Sequence, residues 1–114
     1  MSAAAWEQRL AGLAVEAAAS GLVIHVARRF GERRRGLAKM DPMPPDHALR
    51  ILRTNSVHTF GMRFDLDLVW LGRDGRVLRI DRAVAPRRIR LCLRARSVVE
   101  TRAGQGERFA AVPL

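Results

Sequence analysis

Cysteine occurs once, at Cys92, lysine once, at Lys39, and tyrosine not at all. A lone cysteine excludes an internal disulfide, a cysteine-rich zinc site and a dithiol redox pair. Aromatic residues are scarce, four Phe and two Trp, so few rings are available to stack on nucleobases. Phe30 and Phe109 alone sit near arginine clusters. No apolar run approaches the ~20 residues that span a bilayer. The first twenty residues contain Glu7 and Glu16 and lack a charged start followed by an unbroken apolar core, a poor secretory signal. The expectation is a cytoplasmic protein. The three histidines are scattered at His25, His47 and His58, without the HExxH spacing of a helical zinc site. No Gly-x-Ser-x-Gly elbow is present either. No cofactor is expected, and no spacing in the sequence demands a metal.

What is present is positive charge. Twenty-one basic residues against eleven acidic ones leave +10 in 114 residues, and twenty of the cations are arginine. Apolar residues make up 48% of the chain, too many for a disordered tail. One compact domain is the default at this length.

Trp6, Leu10, Leu13 and Ala17 recur at helical spacing, which predicts an amphipathic helix over residues 3–19. Residues 1–20 are therefore read as an N-terminal helical extension and 21–114 as a single domain. Leu22 to Val26 is rich in β-branched residues and predicts a strand. Residues 28–39 read as a second helix coated by arginine, and the prolines of 41–46 impose a loop. From Ala48 onward the pattern is β. Ala48–Leu52 is a strand, Arg53–Ser56 a turn, and Phe64–Leu71 alternates as a strand. Asp74-Gly75 marks a hairpin into Arg76–Val84. Ile89, Leu91 and Leu93 alternate with Arg88, Arg90, Cys92 and Arg94, and Ser97–Thr101 forms another strand. Glu107–Ala111 supplies one helical turn. The expected fold is α+β and mainly β: a small antiparallel, barrel-like folded sheet with one helix packed on it and an extra N-terminal helix.

The densest concentration of reactive side chains is Ser56 to Asp67. A nucleophilic site would use Ser56 or Thr59 with His58 as base. The simpler fate of His58 and Thr59 is to satisfy backbone groups in a turn. Asp67 and Glu100 would join His58 in a metal site, or each would pair with an arginine, whose planar fork suits a buried carboxylate. Two arginine patches stand out: Arg33, Arg34 and Arg35 with Arg28 and Arg29, and Arg87, Arg88 and Arg90 with Arg82, Arg94 and Arg96. Such patches contact phosphate backbones or merely solvate a face. Cys92, between two arginines, is read as a small structural residue.

The ordered set Arg35-Gly36-Leu37, Met43-Pro44-Pro45, Ser56-Val57-His58-Thr59-Phe60-Gly61-Met62-Arg63-Phe64, Asp67, Asp74-Gly75, Val77, Pro86, Ala95-Arg96-Ser97-Val98-Val99-Glu100 and Ala103-Gly104 resembles the DUF192 family of small prokaryotic domains. The resemblance spans roughly residues 21–109. It implies a compact, mainly β, barrel-like domain with a helix carrying Arg-Gly-Leu, and no established activity. Three features depart from the family pattern: Gly61 stands where an aromatic is usual, Asp65 where proline is usual, and the chain ends soon after Phe109. The short end is expected to leave a sheet edge uncovered.

The leading expectation is a non-enzymatic binding or interaction module. Its surface is the His58–Arg63 loop: Ser56, His58, Thr59, Phe60, Met62 and Arg63, with Asp67 and Glu100 behind. The partner is a protein or small molecule, and the chain a monomer or an edge-paired dimer. The alternative is a phosphate binder with weak nucleic-acid contact through Arg33, Arg34, Arg35, Arg87, Arg88 and Arg90. A third reading is a hydrolytic or metal-dependent enzyme using His58, Asp65, Asp67 and Glu100.

Overall fold

The computed structural model describes residues 6, 9–17, 21–29, 31, 33, 37 and 42–111. Among the described residues eight strands are present: β1 (Ala14–Ala17), β2 (Val23–Ala27), β3 (His47–Leu52), β4 (Ser56–His58), β5 (Leu66–Leu71), β6 (Val77–Val84), β7 (Ile89–Leu91) and β8 (Ser97–Arg102). A single-turn helix, α1 (Gly106–Ala110), follows them. Six strands form one sheet in the order β1-β2-β3-β8-β5-β6, and β4 pairs with β7 in a second, two-stranded sheet.

The hairpin at Asp74-Gly75 folds as expected. Gly75 adopts φ 81°, a conformation natural to glycine, and the turn is closed by Gly72 N–H donating to the Arg76 carbonyl at 2.8 Å. Strand β5 lies between β8 and β6. All six of its residues are buried, because both faces of the sheet are covered. On one face Leu49, Ile51, Leu66, Leu68, Trp70 and Val98 pack with Val57 of β4, and with Leu10, Leu37 and Met43 from outside the strands. On the other, Ile24, Ala48, Val69, Leu71 and Val99 pack against Phe109 of α1. Phe109 is therefore a core residue rather than a stacking surface beside arginines.

Three expectations about the fold are corrected. The sheet is not closed into a barrel: β1 and β6 end it. Nor is it wholly antiparallel, because β2 and β3 pair in parallel. Residues 28–46 between them provide the dozen or more residues that a parallel connection needs. Finally, residues 3–19 do not form one amphipathic helix. Trp6, Arg9 and Leu10 are helical, but Ala14–Ala17 is a strand pairing antiparallel with β2. Pairing with an otherwise open sheet edge overrides the modest helix preference of alanine. The rest of the expected helix, at 3–5, 7, 8, 18 and 19, lies outside the described residues. In the second predicted helix, Gly31 and Arg33 are helical. Phe30, Glu32, Arg34, Arg35, Gly36 and residues 38–41 lie outside the described residues.

Candidate functional site

The three residues on which a catalytic or metal-binding reading depends are held apart by the strand geometry. Asp67 and Leu68 are consecutive on β5, and Glu100 and Thr101 on β8. The register pairs Asp67 with Thr101 and Leu68 with Glu100. Cross-strand partners share a face and neighbours alternate, so Asp67 and Glu100 point to opposite sides of the sheet. His58 belongs to the other sheet and is exposed. Among the described residues, no group of three or more His, Cys, Asp or Glu side chains is arranged to hold a metal ion.

Asp67 is buried and bound to main chain rather than to arginine. Its Oδ1 accepts from Ala83 N–H at 2.9 Å. Its Oδ2 accepts from Gly104 N–H at 2.9 Å and Gly106 N–H at 2.8 Å. The β5–β6 register shifts between Leu66 and Leu68, and Ala83, at φ 51°, is the residue whose N–H the carboxylate takes up. Asp67 thus fastens a β-bulge to the start of α1. Charge-assisted bonds of this kind are among the stronger ones in proteins.

Glu100 shares its face with Leu49 and Leu68, its partners on either side. Among the described residues no donor pairs with its carboxyl, and burial pushes its pKa up to about 7. In the same row His25 of β2 faces Leu49. Its Nε2 lies 3.0 Å from His47 Nδ1, while its own Nδ1 is buried without a partner among the described residues. Burial, followed by the neighbouring His47, holds the His25 pKa below its ordinary value.

Thr59 is fully buried. Its hydroxyl donates to the Ala85 carbonyl at 2.7 Å and accepts from Arg88 N–H at 2.8 Å. Its backbone adds Thr59 N–H to the Arg88 carbonyl, and Arg87 N–H to the Thr59 carbonyl. The hydroxyl is thereby committed to holding the β6–β7 turn, where Arg87 takes φ 65°. Met62 packs partly against the core. Ser56, Phe60, Arg63 and Asp65 are exposed.

The outer face of the β4–β7 sheet was not legible in the sequence. Ser56 pairs with Leu91 and His58 with Ile89. All four side chains face outward, and the inner face is made by Val57, Arg90 and Cys92. Phe60 lies beside His58, with ring centroids 5.9 Å apart. The result is an exposed apolar row: Phe60 is 50% exposed, Ile89 62%, Leu91 53% and Leu93 76%. The signal was in the alternate set: Val57 and Cys92 are the apolar residues that face the core.

Of the six candidate phosphate-binding arginines, Arg87 and Arg88 are exposed and Arg90 half-buried. Arg88 Nη1 donates to the Arg87 carbonyl and Arg90 Nη1 to the Ile89 carbonyl. Arg33 Nη1 donates to the Arg53 carbonyl at 3.4 Å. Arg34 and Arg35 lie outside the described residues.

This combination of fold and sequence matches a known family. The model of DUF192 (Uncharacterized ACR, COG1430) matches residues 4–112, and the chain belongs to that family. Two solved structures share the fold. One is a Sinorhizobium meliloti 1021 protein described as a "putative transcription regulator", with TM-score 0.70 and 22% identity over 81% of this chain and 77% of that one. Another is a protein of unknown function from Novosphingobium aromaticivorans DSM 12444, with TM-score 0.70 and 20% identity over 92% and 91%. At these identities the likeness speaks to fold alone. Among curated proteins, none matches this sequence. No helix among the described residues is long and apolar enough to cross a membrane.

Proposed function

We propose that this DUF192 domain is a non-enzymatic interaction module that docks an acidic, amphipathic segment of another protein. The docking face is the outer side of β4–β7 with the loop that follows β4: His58, Phe60, Ile89 and Leu91, rimmed by Arg87 and Arg88. One observation carries this reading, the exposed apolar row of Phe60, Ile89 and Leu91 around His58. Scattered exposed apolar residues are ordinary, but a contiguous row with a polar rim marks a contact surface. The net charge of +10 makes two copies repel and an acidic chain attract. That favours a different, acidic partner over a second copy. Asp67, on the far face of the large sheet, fastens the scaffold, and Glu100 is buried within it.

Fluorescence anisotropy with a labelled peptide of alternating Glu and Leu tests the proposal, with an alternating Lys–Leu peptide as control. The acidic peptide is expected to bind and the basic one not. Ile89→Ala with Leu91→Ala is expected to weaken binding at least tenfold while the melting temperature stays nearly constant. Absence of binding, or binding indifferent to both substitutions, overturns the proposal.

A further inference from the structure

A second surface is built where two turns meet. The β5–β6 turn carries Arg73 and Arg76, and the segment between β7 and β8 carries Arg94 and Arg96. Between them lies a groove of about 950 Å³, also lined by Asn55 and the apolar walls Leu78 and Leu93. That size falls within the range typical of ligand clefts. A smaller hollow of about 250 Å³ adjoins it, sharing Asn55 and Arg96 and reaching Arg53.

Among the described residues the groove carries one acid against four arginines. Its single acid, Asp74, is already committed: Oδ1 accepts from Arg76 N–H at 3.0 Å and Oδ2 lies 3.6 Å from Arg76 Nε. Of the acids nearest in sequence, Asp67 and Glu100 are buried and Asp81 pairs with Arg79. Among the described residues, no acid or carbonyl pairs with the guanidinium groups of Arg73, Arg94 or Arg96.

Both turns that mount these cations are held by backbone bonds. Gly75 N–H reaches the Gly72 carbonyl at 3.0 Å, Ala95 N–H the Cys92 carbonyl at 2.9 Å and Arg96 N–H the Leu71 carbonyl at 2.8 Å. Three guanidinium groups are thus presented from ordered backbone around one concavity. Such preorganisation lowers the ordering cost of binding.

We infer that this groove binds a ligand carrying at least two adjacent phosphate groups. Arginine's planar fork matches phosphate oxygens. One phosphate monoester carries about 1.5–2 negative charges at neutral pH, so two phosphates balance three unpaired guanidiniums. Leu78 and Leu93 leave room for an apolar part of the ligand. Arg94 and Arg96 belong to the second arginine patch seen in sequence, Arg73 and Arg76 do not, and the groove meets the β4–β7 apolar row at Leu93.

Calorimetric titration with pyrophosphate, a nucleoside diphosphate and a twelve-nucleotide single strand tests the site at 50 and 200 mM salt. Pyrophosphate is expected to bind the unmodified protein. Arg73→Glu with Arg94→Glu is expected to weaken it at least tenfold, and the milder Arg73→Gln with Arg94→Gln to weaken it measurably with the fold intact. The control, Arg102→Glu with Arg108→Glu, makes the same change in net charge elsewhere and is expected to leave affinity within twofold, because screening limits remote charges. Tighter binding of pyrophosphate or the nucleoside diphosphate than of the strand assigns the site to small free polyphosphates. Tighter binding of the strand, with a steep fall between the two salt concentrations, assigns it to a nucleic-acid backbone. No pyrophosphate binding, or equal loss in the groove and control variants, overturns the inference.

Discussion

Asp67 and Gly106 touch across the junction of the sheet and α1. The Gly106 N–H donates to Asp67 Oδ2 at 2.8 Å, and a Cβ at position 106 would stand 3.0 Å from both Asp67 Cβ and Asp67 Oδ2. Three backbone donors pin that carboxylate, so it has little freedom to retreat. Gly106→Ala is expected to destabilise the domain by about 1–3 kcal/mol, as overpacking commonly does. Asp67→Asn turns one acceptor edge into a donor facing backbone N–H groups, and is expected to cost about 1–3 kcal/mol. Urea midpoints check both; unchanged midpoints would show that the clamp is not needed for stability.

The Thr59 hydroxyl separates a structural role from a functional one. Thr59→Val keeps the shape but strands the Ala85 carbonyl and the Arg88 N–H. The expected loss is about 1–3 kcal/mol. Thr59→Ser restores both bonds and is expected to recover most of it. Thermal unfolding of the two variants provides the comparison, and equal stability of Val and Ser would rule out this role.

Glu100 makes stability depend on pH with a defined sign. Its carboxyl titrates near 7 in the folded chain against an ordinary value of 4.5. Between these values the unfolded chain has lost the proton and the folded chain retains it, so stability falls as pH rises from about 4.5 to about 7. The full effect is on the order of 3 kcal/mol. Glu100→Gln, which cannot ionise, is expected to lose this fall. Urea unfolding at pH 4.5 and pH 8 for both proteins measures it, and identical pH dependence would refute the assignment.

His25 acts in the opposite direction. Burial and the adjacent His47 keep its imidazole neutral in the folded chain below its ordinary 6.5. The unfolded chain takes up a proton there first, so stability falls as pH drops below about 6.5. His25→Leu is expected to reduce that acid-side loss. The comparison is the melting temperature at pH 7.5 and pH 5; an equal drop in the two proteins would show that other groups carry it.

Much of the scaffold was readable. The alternation of Phe64–Leu71, the Asp74-Gly75 turn and the strands at 22–26, 48–52, 76–84 and 97–101 correspond closely to β5, its hairpin and β2, β3, β6 and β8. Each is a local pattern: period-two hydrophobicity, β-branched runs, or a turn residue suited to positive φ. Strand β4 escaped because three residues are too short to show a period. In β1 the composition favoured a helix while an open sheet edge offered hydrogen bonds.

The candidate site was less readable for a related reason. His58, Asp67 and Glu100 are a chemically suggestive set in one dimension. Strand alternation sends the two carboxylates to opposite faces, and Asp67 finds its partners at Ala83, Gly104 and Gly106. No feature of residues 56–67 announces those three amides.

The predominance of β structure, most strand positions and the excess of positive charge follow from composition and short-range periodicity, and the family follows from the order of its motifs along the chain. Tertiary structure alone decided which face of β7 meets solvent, and so placed Ile89 and Leu91 outside and Cys92 against the core. It also brought Arg73 and Arg76 beside Arg94 and Arg96 across about twenty residues of chain. Those outcomes depend on which strands pair and in what register, and pairing between distant segments is settled by the cooperative packing of the whole sheet.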